Sequence, residues 1–560
     1  MINLFINCFI VTSIFYVYGT LFTFRIKCKN YLAEVTQSIL FGAIFVSFLS
    51  LLINFFIPLN EIFGNFFLFF SLAFFFVHQI FIRNKIKILP LIILVSLLGC
   101  IFVSYDNINR PDGGLYHLPY IQILNENKII IGLTNLHFRF GHISSIQYLS
   151  AVFKNSYMPL EAINLPTAIL ISSFLFYLIS YFENKYKNKK IKLFIFLLIV
   201  YSMYSFNRFS NYGNDASAHI YVFLFFIYFL QIDFAKITKD NISLLSIISV
   251  FLFTQKIFMG LFMIIPFFIF IYNSMYKKKI EYKLIFSFLF LLLWLTKNIL
   301  VSGCAIYPIQ MTCFKNLKQT NLENTKKIEI ESEAWSKDWS SQKNIGDYSE
   351  YVKDFKWVKT WKNNHFNVIK TKITLYIIFL ILFLLYSLIF FKNKNKLINF
   401  TNFDKKFLFI FAFSFFLTIF WFLKFPLYRY GQSFLIMPLI IIYFYLIYYF
   451  VNYKRLVNAM KFIVSILFII IISKNFIRMY EKNSVRNIWP NIYTLSELAE
   501  DNVKLQLETI YRDEKFIYYY NSKGECMYSS APCSNFKINN LDKIKVNNYD
   551  VFFLNNSYNN

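Results

Sequence analysis

Charged residues are scarce in this 560-residue chain, and their scarcity excludes a soluble protein. They make up only 16% of the positions, whereas 57% are hydrophobic. A soluble domain carries about 25% charged residues, because its surface must face water. The apolar runs also lack the alternation of apolar and polar residues that strands of a membrane β-barrel show. The sequence therefore predicts an all-α polytopic membrane protein.

Apolar runs of about 20 residues are long enough to cross a bilayer as helices. We expect about fourteen of them by this length rule. They lie roughly at residues 3–24, 36–57, 62–83, 87–105, 160–182, 190–206, 215–234, 243–254, 257–274, 283–301, 372–391, 406–424, 432–452 and 460–477. The predicted transmembrane domain is 1–477. The two short segments beside Lys256 are also compatible with one broken or re-entrant element.

Acidic residues are few as well: 30 Asp and Glu stand against 57 Lys and Arg, which gives a formal net charge of +27. The basic residues lie mostly in short clusters between apolar runs, such as residues 185–192, 277–279 and 392–396. This distribution is typical of cytoplasmic loops and does not indicate a nucleic-acid partner. We therefore expect membrane lipids as partners and no nucleic acid.

The same charge rule orients the chain, with the N-terminus outside. The longer connections 106–159 and 302–371 and the tail 478–560 then all lie outside. The N-terminal run lacks a charged leading segment and a small-residue cleavage site, so we interpret it as a retained first helix rather than a signal peptide. The tail alternates short β-prone runs with polar residues and is expected to form a small α/β module.

Cysteine is also rare, with seven residues in the whole chain. Four of them lie in the predicted outer segments as two close pairs, Cys304 with Cys313 and Cys526 with Cys533. Disulfides persist in an oxidising compartment. Each pair is a disulfide candidate, and two free thiols are the alternative.

The first outer connection combines a carboxylate, imidazoles, guanidiniums and aromatic rings. It contains the segments 112–119 (DGGLYHLP) and 132–141 (GLTNLHFRFG). Pro and Gly residues at its start favour a tight turn that presents Asp112 beside Tyr116 and His117. Such mixtures suit a site that handles a proton and an anion together. A solvated polar loop is the alternative.

Other polar residues lie at predicted outer helix ends. Asp215 begins a helix and is either a second acidic site residue or a simple N-cap. Lys256 interrupts an apolar stretch, where ionisable groups are usually functional or paired; a short outer turn is the alternative. Arg429 is suited to bidentate phosphate binding, or to contact with a lipid headgroup. Four Trp residues of the connection 302–371 indicate a cover over the site or an interfacial anchor.

These features resemble the GT-C class of membrane glycosyltransferases, which take sugars from polyprenyl-phosphate carriers. Asp112 stands where that class carries an essential acidic residue in its first large outer loop. The run 294–308 (WLTKNILVSGCAIYP) is similar to a recurrent GT-C pattern of Trp, Arg-Asn, Gly and Tyr-Pro. In this chain Lys297 stands in place of the Arg, and residues 304–306 depart from the usual Asn-Pro. A narrower resemblance, to an uncharacterised family of bacterial multi-pass proteins, is carried by segments 112–119, 132–141 and 426–431 (PLYRYG) and by the Cys526–Cys533 region.

The resemblance implies sugar transfer at the periplasmic face of the bacterial cytoplasmic membrane, with inversion at the sugar. Asp112 would be the general base, and Asp215 is a second catalytic candidate. Binding of the polyprenyl-phosphate-linked sugar, and of a glycan, lipid or protein acceptor, would fall to a set of polar and aromatic residues: Tyr116, His117, Asn135, His137, Arg139, Lys297, Asn298, Tyr307 and Arg429. Asp112 and His117 do not complete a metal-ligand set, so we predict no metal site, although some enzymes of the class need a divalent cation.

Two other functions share much of this sequence pattern. A transporter or flippase of lipid-linked sugars would carry polar residues at mid-bilayer depth along several helices, whereas here they gather at outer helix ends. A glycan polymerase or ligase would differ only in its acceptor. A purely structural membrane protein would not need the acidic, His- and Arg-containing loop.

Overall fold

The structure, a computed structural model, describes most of the chain. The described residues are 1–23, 30–81, 85–103, 112–183, 188–208, 212–234, 239–274, 282–339, 347–391, 404–481, 507–512, 516–521, 525–538 and 540–555. Several predicted features lie outside them, namely residues 106–111 of the first outer connection and the basic clusters at 277–279 and 392–396.

The described chain is predominantly helical. Its α-helices are Ile2–Thr23, Tyr31–Asn54, Glu61–Phe81, Lys85–Val103, Leu118–Glu126, Ser145–Ala151, Leu165–Glu183, Lys189–Ser205, Asp215–Gln231, Lys239–Gln255, Ile264–Ser274, Tyr282–Ser302, Leu322–Ser336, Tyr348–Val352, Val358–Trp361, Asn367–Phe391, Lys405–Lys424, Tyr428–Phe450 and Tyr453–Glu481. Short 3-10 or π turns are Gly113–His117, Leu133–Asn135, Phe138–His142, Leu160–Asn164, Ile257–Met263, Gln310–Thr312 and Lys362–Phe366.

Nine helices within the described ranges are long and apolar enough to cross a membrane, which confirms a multi-pass membrane protein. The count of fourteen stays a prediction. Several of the expected spans are helices of 17 residues or fewer, including Asp215–Gln231 and Lys239–Gln255. At 1.5 Å per residue such a helix is about 25 Å long, less than the ~30 Å hydrocarbon core. Asp215–Gln231 is almost wholly buried among other helices, so its exposure does not show whether it crosses the membrane.

Helices at the margin of the bundle bury one face and expose an apolar one. In Glu61–Phe81 the buried positions follow helical spacing, with Gly64, Phe67, Leu68, Ser71 and Phe75 on one side. The opposite face exposes large Phe side chains, Phe66, Phe69, Phe70 and Phe76. A water-facing helix would carry polar residues there. The exposed apolar face is what contact with lipid tails requires.

Helices Ile2–Thr23 and Tyr31–Asn54 approach each other closely through small residues. A Cβ atom added at Gly19 would collide with the carbonyl group of Ser38, and one at Gly42 with the carbonyl group of Phe15. In membranes helices associate by packing and not by the hydrophobic effect, so small residues that let backbones touch are favoured. Helices Lys85–Val103 and Leu165–Glu183 both pack against this pair.

The three segments predicted to lie outside meet one another. The Ile131 N–H donates to the Asp550 carbonyl at 2.9 Å, which joins the first connection to the C-terminal region. The Asn135 side chain donates to the carbonyl oxygens of Gln319 (2.9 Å) and Phe552 (3.1 Å), which joins all three. These buried polar contacts hold the connections together at one end of the bundle.

The C-terminal region contains two small sheets. Strands Leu507–Arg512, Phe516–Asn521 and Cys533–Ser534 form one sheet, antiparallel at the first pairing and parallel at the second. Strands Leu541–Val546 and Tyr549–Leu554 form an antiparallel hairpin. The predicted strand content of the tail is thereby confirmed.

Candidate functional site

Asp112 lies between two arginines that are distant from it and from each other in sequence. Its Oδ2 accepts a hydrogen bond from Arg429 Nη1 at 2.6 Å, and its Oδ1 lies 3.6 Å from Arg139 Nη1. All three side chains reach the surface, with 29% of Asp112, 31% of Arg139 and 47% of Arg429 exposed. Burial acts to raise the pKa of Asp112, but the Arg429 and Arg139 charges outweigh it and lower the pKa below its ordinary value. The carboxylate is therefore ionised at neutral pH.

The local sequence after Asp112 sets its position. A π-helical turn, Gly113–His117, leads directly into helix Leu118–Glu126. Gly113 and Gly114 are buried, and a side chain on Gly114 would collide with the Glu525 carboxylate and the Met527 sulfur of the C-terminal region. The Met527 N–H also donates to the Gly114 carbonyl at 2.9 Å. Glycine at 114 therefore allows the C-terminal region to close against the turn that carries Asp112.

Arg429 is held by its backbone and leaves its side chain accessible. It is the second residue of helix Tyr428–Phe450, one of the nine apolar spans. Its carbonyl accepts from His219 Nε2 at 2.9 Å, while His219 Nδ1 lies 2.8 Å from Ser433 Oγ. The turn before it is fixed by Trp361, whose indole N–H donates to the Pro426 carbonyl at 2.6 Å. The Trp-rich connection thus braces the Arg429 turn.

Asp215 pairs with Lys256, which adjoins the first ion pair. Lys256 Nζ lies 2.5 Å from Asp215 Oδ1 and 4.4 Å from the centroid of the Tyr430 ring. Lys256 follows the end of helix Lys239–Gln255. Gln255 is held by Ser217, whose hydroxyl donates to its Oε1 at 2.5 Å. Asp215 is therefore an ion-pair partner and not an N-cap, since Asn214 precedes the helix.

His117 lies within the field of both pairs. Gln147 Nε2 lies 3.0 Å from its Nδ1, and Gln147 Oε1 accepts from the Ser144 backbone and hydroxyl in a capping box. Since an amide nitrogen only donates, Nδ1 accepts and Nε2 carries the proton. Burial lowers the pKa of His117 to about 4. His117 is thus a neutral donor at neutral pH.

Aromatic rings line the arginines. The Arg139 guanidinium lies 5.3 Å from the centroid of the Tyr116 ring, and Arg429 Nη2 donates to the Tyr430 hydroxyl at 3.3 Å. The Tyr116 and His117 ring centroids are 4.3 Å apart. Rings at these distances stabilise a cation. We name Asp112, Arg139, Asp215, Lys256 and Arg429 the ion-pair cluster; its three cations and two carboxylates leave one net positive charge.

Two predicted binding residues, Asn135 and His137, make structural contacts and do not line the site. Both amide hydrogen bonds of Asn135 go to backbone carbonyls of other segments, as described above, and only 6% of the residue is exposed. His137 is 2% exposed, accepts from the Arg139 N–H at 3.1 Å and stacks among phenylalanines. Burial lowers the pKa of His137 to about 3, so it is neutral. Both shape the turn that carries Arg139 and do not join the ion-pair cluster.

The residues of the run 294–308 form a separate buried group. Lys297 is fully buried, with Nζ 3.3 Å from Asn298 Oδ1 and 4.5 Å from the Trp294 ring centroid. The Asn298 amide donates to the Ala305 carbonyl at 3.1 Å. Tyr307 is 2% exposed and packs on His142. Within the described residues, none of Lys297, Asn298 and Tyr307 contacts the ion-pair cluster.

The structure joins both cysteine pairs, Cys304 to Cys313 and Cys526 to Cys533. The second bridge closes the loop that lies on Gly114. No group of three or more His, Cys, Asp or Glu in the described part of the chain is arranged to hold a metal ion. Both Asp112 oxygens face guanidiniums, so a divalent cation beside them would meet positive charge. These residues do not fit a metal.

Two contributors to the site, Gln147 and His219, were missing from the predicted site residues, whereas Lys256 was expected to be functional or paired and is paired with Asp215. The capping-box spacing of Ser144 and Gln147 was visible in the sequence, but it indicates only a helix start. The sequence indicated Lys256 as a charge in an apolar run, but only the structure identifies its partner, Asp215. His219 acts through the Arg429 backbone, and no local sequence signal reveals such a contact.

The fold and the ion-pair cluster define a multi-pass helical membrane protein with a polar site at one end of its helices. The chain belongs to the DUF8201 family, whose model, described as a domain of unknown function, matches residues 1–436. The match contains the whole ion-pair cluster and ends before the C-terminal strands. No curated protein and no solved structure matches the chain.

Proposed function

We propose that this protein is a membrane glycosyltransferase that moves a sugar from a polyprenyl-phosphate carrier to an acceptor hydroxyl on the outer side of a bacterial cytoplasmic membrane. The observation that carries the proposal is the Asp112 carboxylate held between two accessible guanidiniums at the start of an apolar span. A base and an anion-binding fork meet there at the end of a helix long and apolar enough to cross the membrane. This is the pair of functions that transfer from a lipid phosphate requires.

The reaction is a single displacement at the anomeric carbon of the sugar. The acceptor oxygen forms a bond to this carbon as the bond to the phosphate oxygen breaks, and the electron pair leaves with the polyprenyl phosphate. Asp112 takes the proton of the acceptor hydroxyl as general base. The products are the glycosylated acceptor and the polyprenyl phosphate, and attack opposite the leaving group inverts the centre.

The leaving phosphate needs positive charge where its own negative charge increases. Arg429 and Arg139 present N–H donors around Asp112, and a planar guanidinium binds phosphate oxygens in bidentate fashion. A well-placed donor of this kind contributes about 3–4 kcal/mol to the transition state. Lys297, which the sequence suggested for this role, is fully buried. Lys256 is the third cation of the cluster and holds Asp215.

His117 and Tyr116 have the chemistry for binding the sugar. His117 presents an Nε2–H donor at neutral pH, because Gln147 occupies its Nδ1. Tyr116 lies between His117 and Arg139 and offers an aromatic face and a hydroxyl. Such rings and neutral donors suit sugar hydroxyls without competing for the phosphate.

The test is the glycan and lipid profile of cells that lack the endogenous protein, complemented with variants at matched membrane levels. Wild type and Asp404→Asn should restore a glycan or modified lipid, whereas Asp112→Asn should not. Asp404 is a matched control, since it is also an ion-paired carboxylate, with Lys190 as its partner. It lies at the N-terminal end of helix Lys405–Lys424, whereas the turn that carries Arg429 follows the C-terminal end of that helix. Its helix-capping role is kept by Asn. Equal restoration by Asp112→Asn would remove Asp112 as the base.

Transport of a lipid-linked sugar is the second candidate, and the helix break at Lys256 favours it. Broken helices that place charged groups at a site are common in transporters. Here the break carries the pair Asp215–Lys256. A transporter would move the lipid-linked sugar across vesicle membranes without consuming it. Loss of the sugar from its carrier in the presence of cell-envelope acceptors identifies a transferase instead.

A further inference from the structure

The substrate phosphate and Asp112 need the same guanidinium groups. Arg429 donates one N–H of Nη1 to Asp112 and one N–H of Nη2 to the Tyr430 hydroxyl, so a phosphate that binds this guanidinium competes with the carboxylate for the same positive charge and for part of the same donor set. Arg139 faces the other carboxylate oxygen. On the basis of the proposed function, we propose that Asp112 is the internal counterion of the phosphate site. The donor phosphate releases Asp112 by taking its arginines, so the base becomes active only after the donor has bound.

The structure allows this exchange at Arg429 without movement of the backbone. His219 holds the Arg429 carbonyl, and Trp361 holds the preceding turn. The Arg429 side chain is 47% exposed, and its ion pair with Asp112 is reached from outside the bundle. Ion pairs this exposed are weak, because solvent screens both charges. A phosphate, which carries more charge and accepts two parallel hydrogen bonds, competes well for the same fork.

Release changes the chemistry of Asp112 in the direction that catalysis needs. While both arginines are in place they lower its pKa, so the carboxylate is a weak base. When they turn to the phosphate, burial and the new negative charge both act to raise the pKa. The remaining charged neighbours, Asp215 and Lys256, form a neutral pair, and His117 is uncharged. The arginines are therefore the groups that control the basicity of Asp112.

Asp112→Asn should improve binding of the donor phosphate, although it removes the proposed base. The neutral amide leaves both guanidiniums without a counterion, so a lipid phosphate no longer has to displace a carboxylate. Removal of a competing exposed ion pair corresponds to about fivefold tighter binding. Undecaprenol, the same lipid with a hydroxyl in place of the phosphate, should bind wild type and variant alike.

The experiment measures binding of undecaprenyl phosphate and of undecaprenol to the full chain in lipid nanodiscs. The proteins are wild type, Asp112→Asn, Arg429→Gln and the control Asp404→Asn. The expected result is tighter phosphate binding by Asp112→Asn, weaker phosphate binding by Arg429→Gln, and unchanged binding by Asp404→Asn. Alcohol binding should be the same for all four.

The possible failures are distinguishable. If wild type prefers the phosphate and Arg429→Gln weakens it, but Asp112→Asn binds equally or more weakly, competition is refuted while the phosphate site stands. If wild type does not distinguish the phosphate from the alcohol, the phosphate site of the proposed function is refuted as well. A circular-dichroism melting curve for each protein verifies that the variants are folded in the nanodiscs.

Discussion

The pair Asp215–Lys256 gives the sharpest test of how the site is built. Its Nζ–Oδ1 distance is 2.5 Å, with 9% of the Lys256 side chain and 25% of Asp215 exposed. Removal of one partner from a buried pair costs about 3–5 kcal/mol, because the other charge is left without compensation. Since Asp215 retains some contact with solvent, we expect Lys256→Met to lower the free energy of unfolding by about 3 kcal/mol, the low end of that range.

The reverse change should cost less. Asp215→Asn leaves the Lys256 ammonium uncompensated, but that ammonium still lies 4.4 Å from the Tyr430 ring centroid. An aromatic face stabilises a partly desolvated cation by about 1–2 kcal/mol. We therefore expect a loss of about 2 kcal/mol for Asp215→Asn. The double variant leaves no charge behind and should also lose about 2 kcal/mol, which gives a coupling of about 3 kcal/mol.

The assay is equilibrium unfolding of the four proteins by sodium dodecyl sulfate in mixed micelles, followed by circular dichroism. The pair Lys190–Asp404 supplies the comparison, since its two side chains are 24% and 29% exposed and 3.3 Å apart. Its own double-mutant cycle should give a coupling below about 1 kcal/mol. Additive losses at Asp215 and Lys256, within about 0.5 kcal/mol, would refute the buried pairing.

Three further predictions concern the helix pair, the buried imidazole and the C-terminal loop. Gly42→Ala places a methyl group against the Phe15 carbonyl and should cost about 2 kcal/mol of stability in the same unfolding assay. The depressed pKa of His137 means that the unfolded chain binds its proton first, so this residue makes stability fall by up to about 1.4 kcal/mol per pH unit as the pH drops from about 6.5 toward 4. His117, whose pKa is also depressed, adds to the slope, so His137→Phe should reduce the slope by the share of one group and not abolish it. Replacing Cys526 and Cys533 by Ser should destabilise the loop on Gly114 by about 2 kcal/mol, measured as faster proteolysis of the C-terminal region.

The helical membrane fold could be predicted because its signal is local. An apolar run of about 20 residues is long enough to cross a bilayer, and within lipid such a run forms a helix because a helix satisfies its own backbone hydrogen bonds. The number of spans could not be predicted in the same way. Asp215–Gln231 has the composition of a span, but it is short and enclosed by other helices. Hydropathy measures only the preference for an apolar environment, and a protein core and a bilayer both provide one.

The site could be predicted as separate residues but not as contacts. Asp112 and Arg429 were each expected at an outer helix end, yet they are 317 positions apart and only the fold brings them together. Asn135 lies in the same polar segment as Arg139, and its hydrogen bonds reach 184 and 417 positions along the chain. A polar residue in a motif is equally suited to bind a substrate or to form a hydrogen bond that fixes the backbone of another segment. The sequence pattern does not distinguish these uses.

The charge balance of the ion-pair cluster connects its architecture to the proposed chemistry. Without its carboxylates the cluster would present three cations at the surface of a membrane, and any anionic headgroup would bind there. Asp215 neutralises the buried Lys256 permanently, since that pair is 2.5 Å long and mostly enclosed. Asp112 neutralises Arg429 through an exposed pair, and we propose that a phosphate competes for it. Under the proposed mechanism one carboxylate is therefore structural and the other exchangeable, and only the exchangeable one can act as a base. If so, Asp215→Asn should reduce activity mainly through lost stability, whereas Asp112→Asn should abolish turnover in a folded protein that still binds the lipid phosphate.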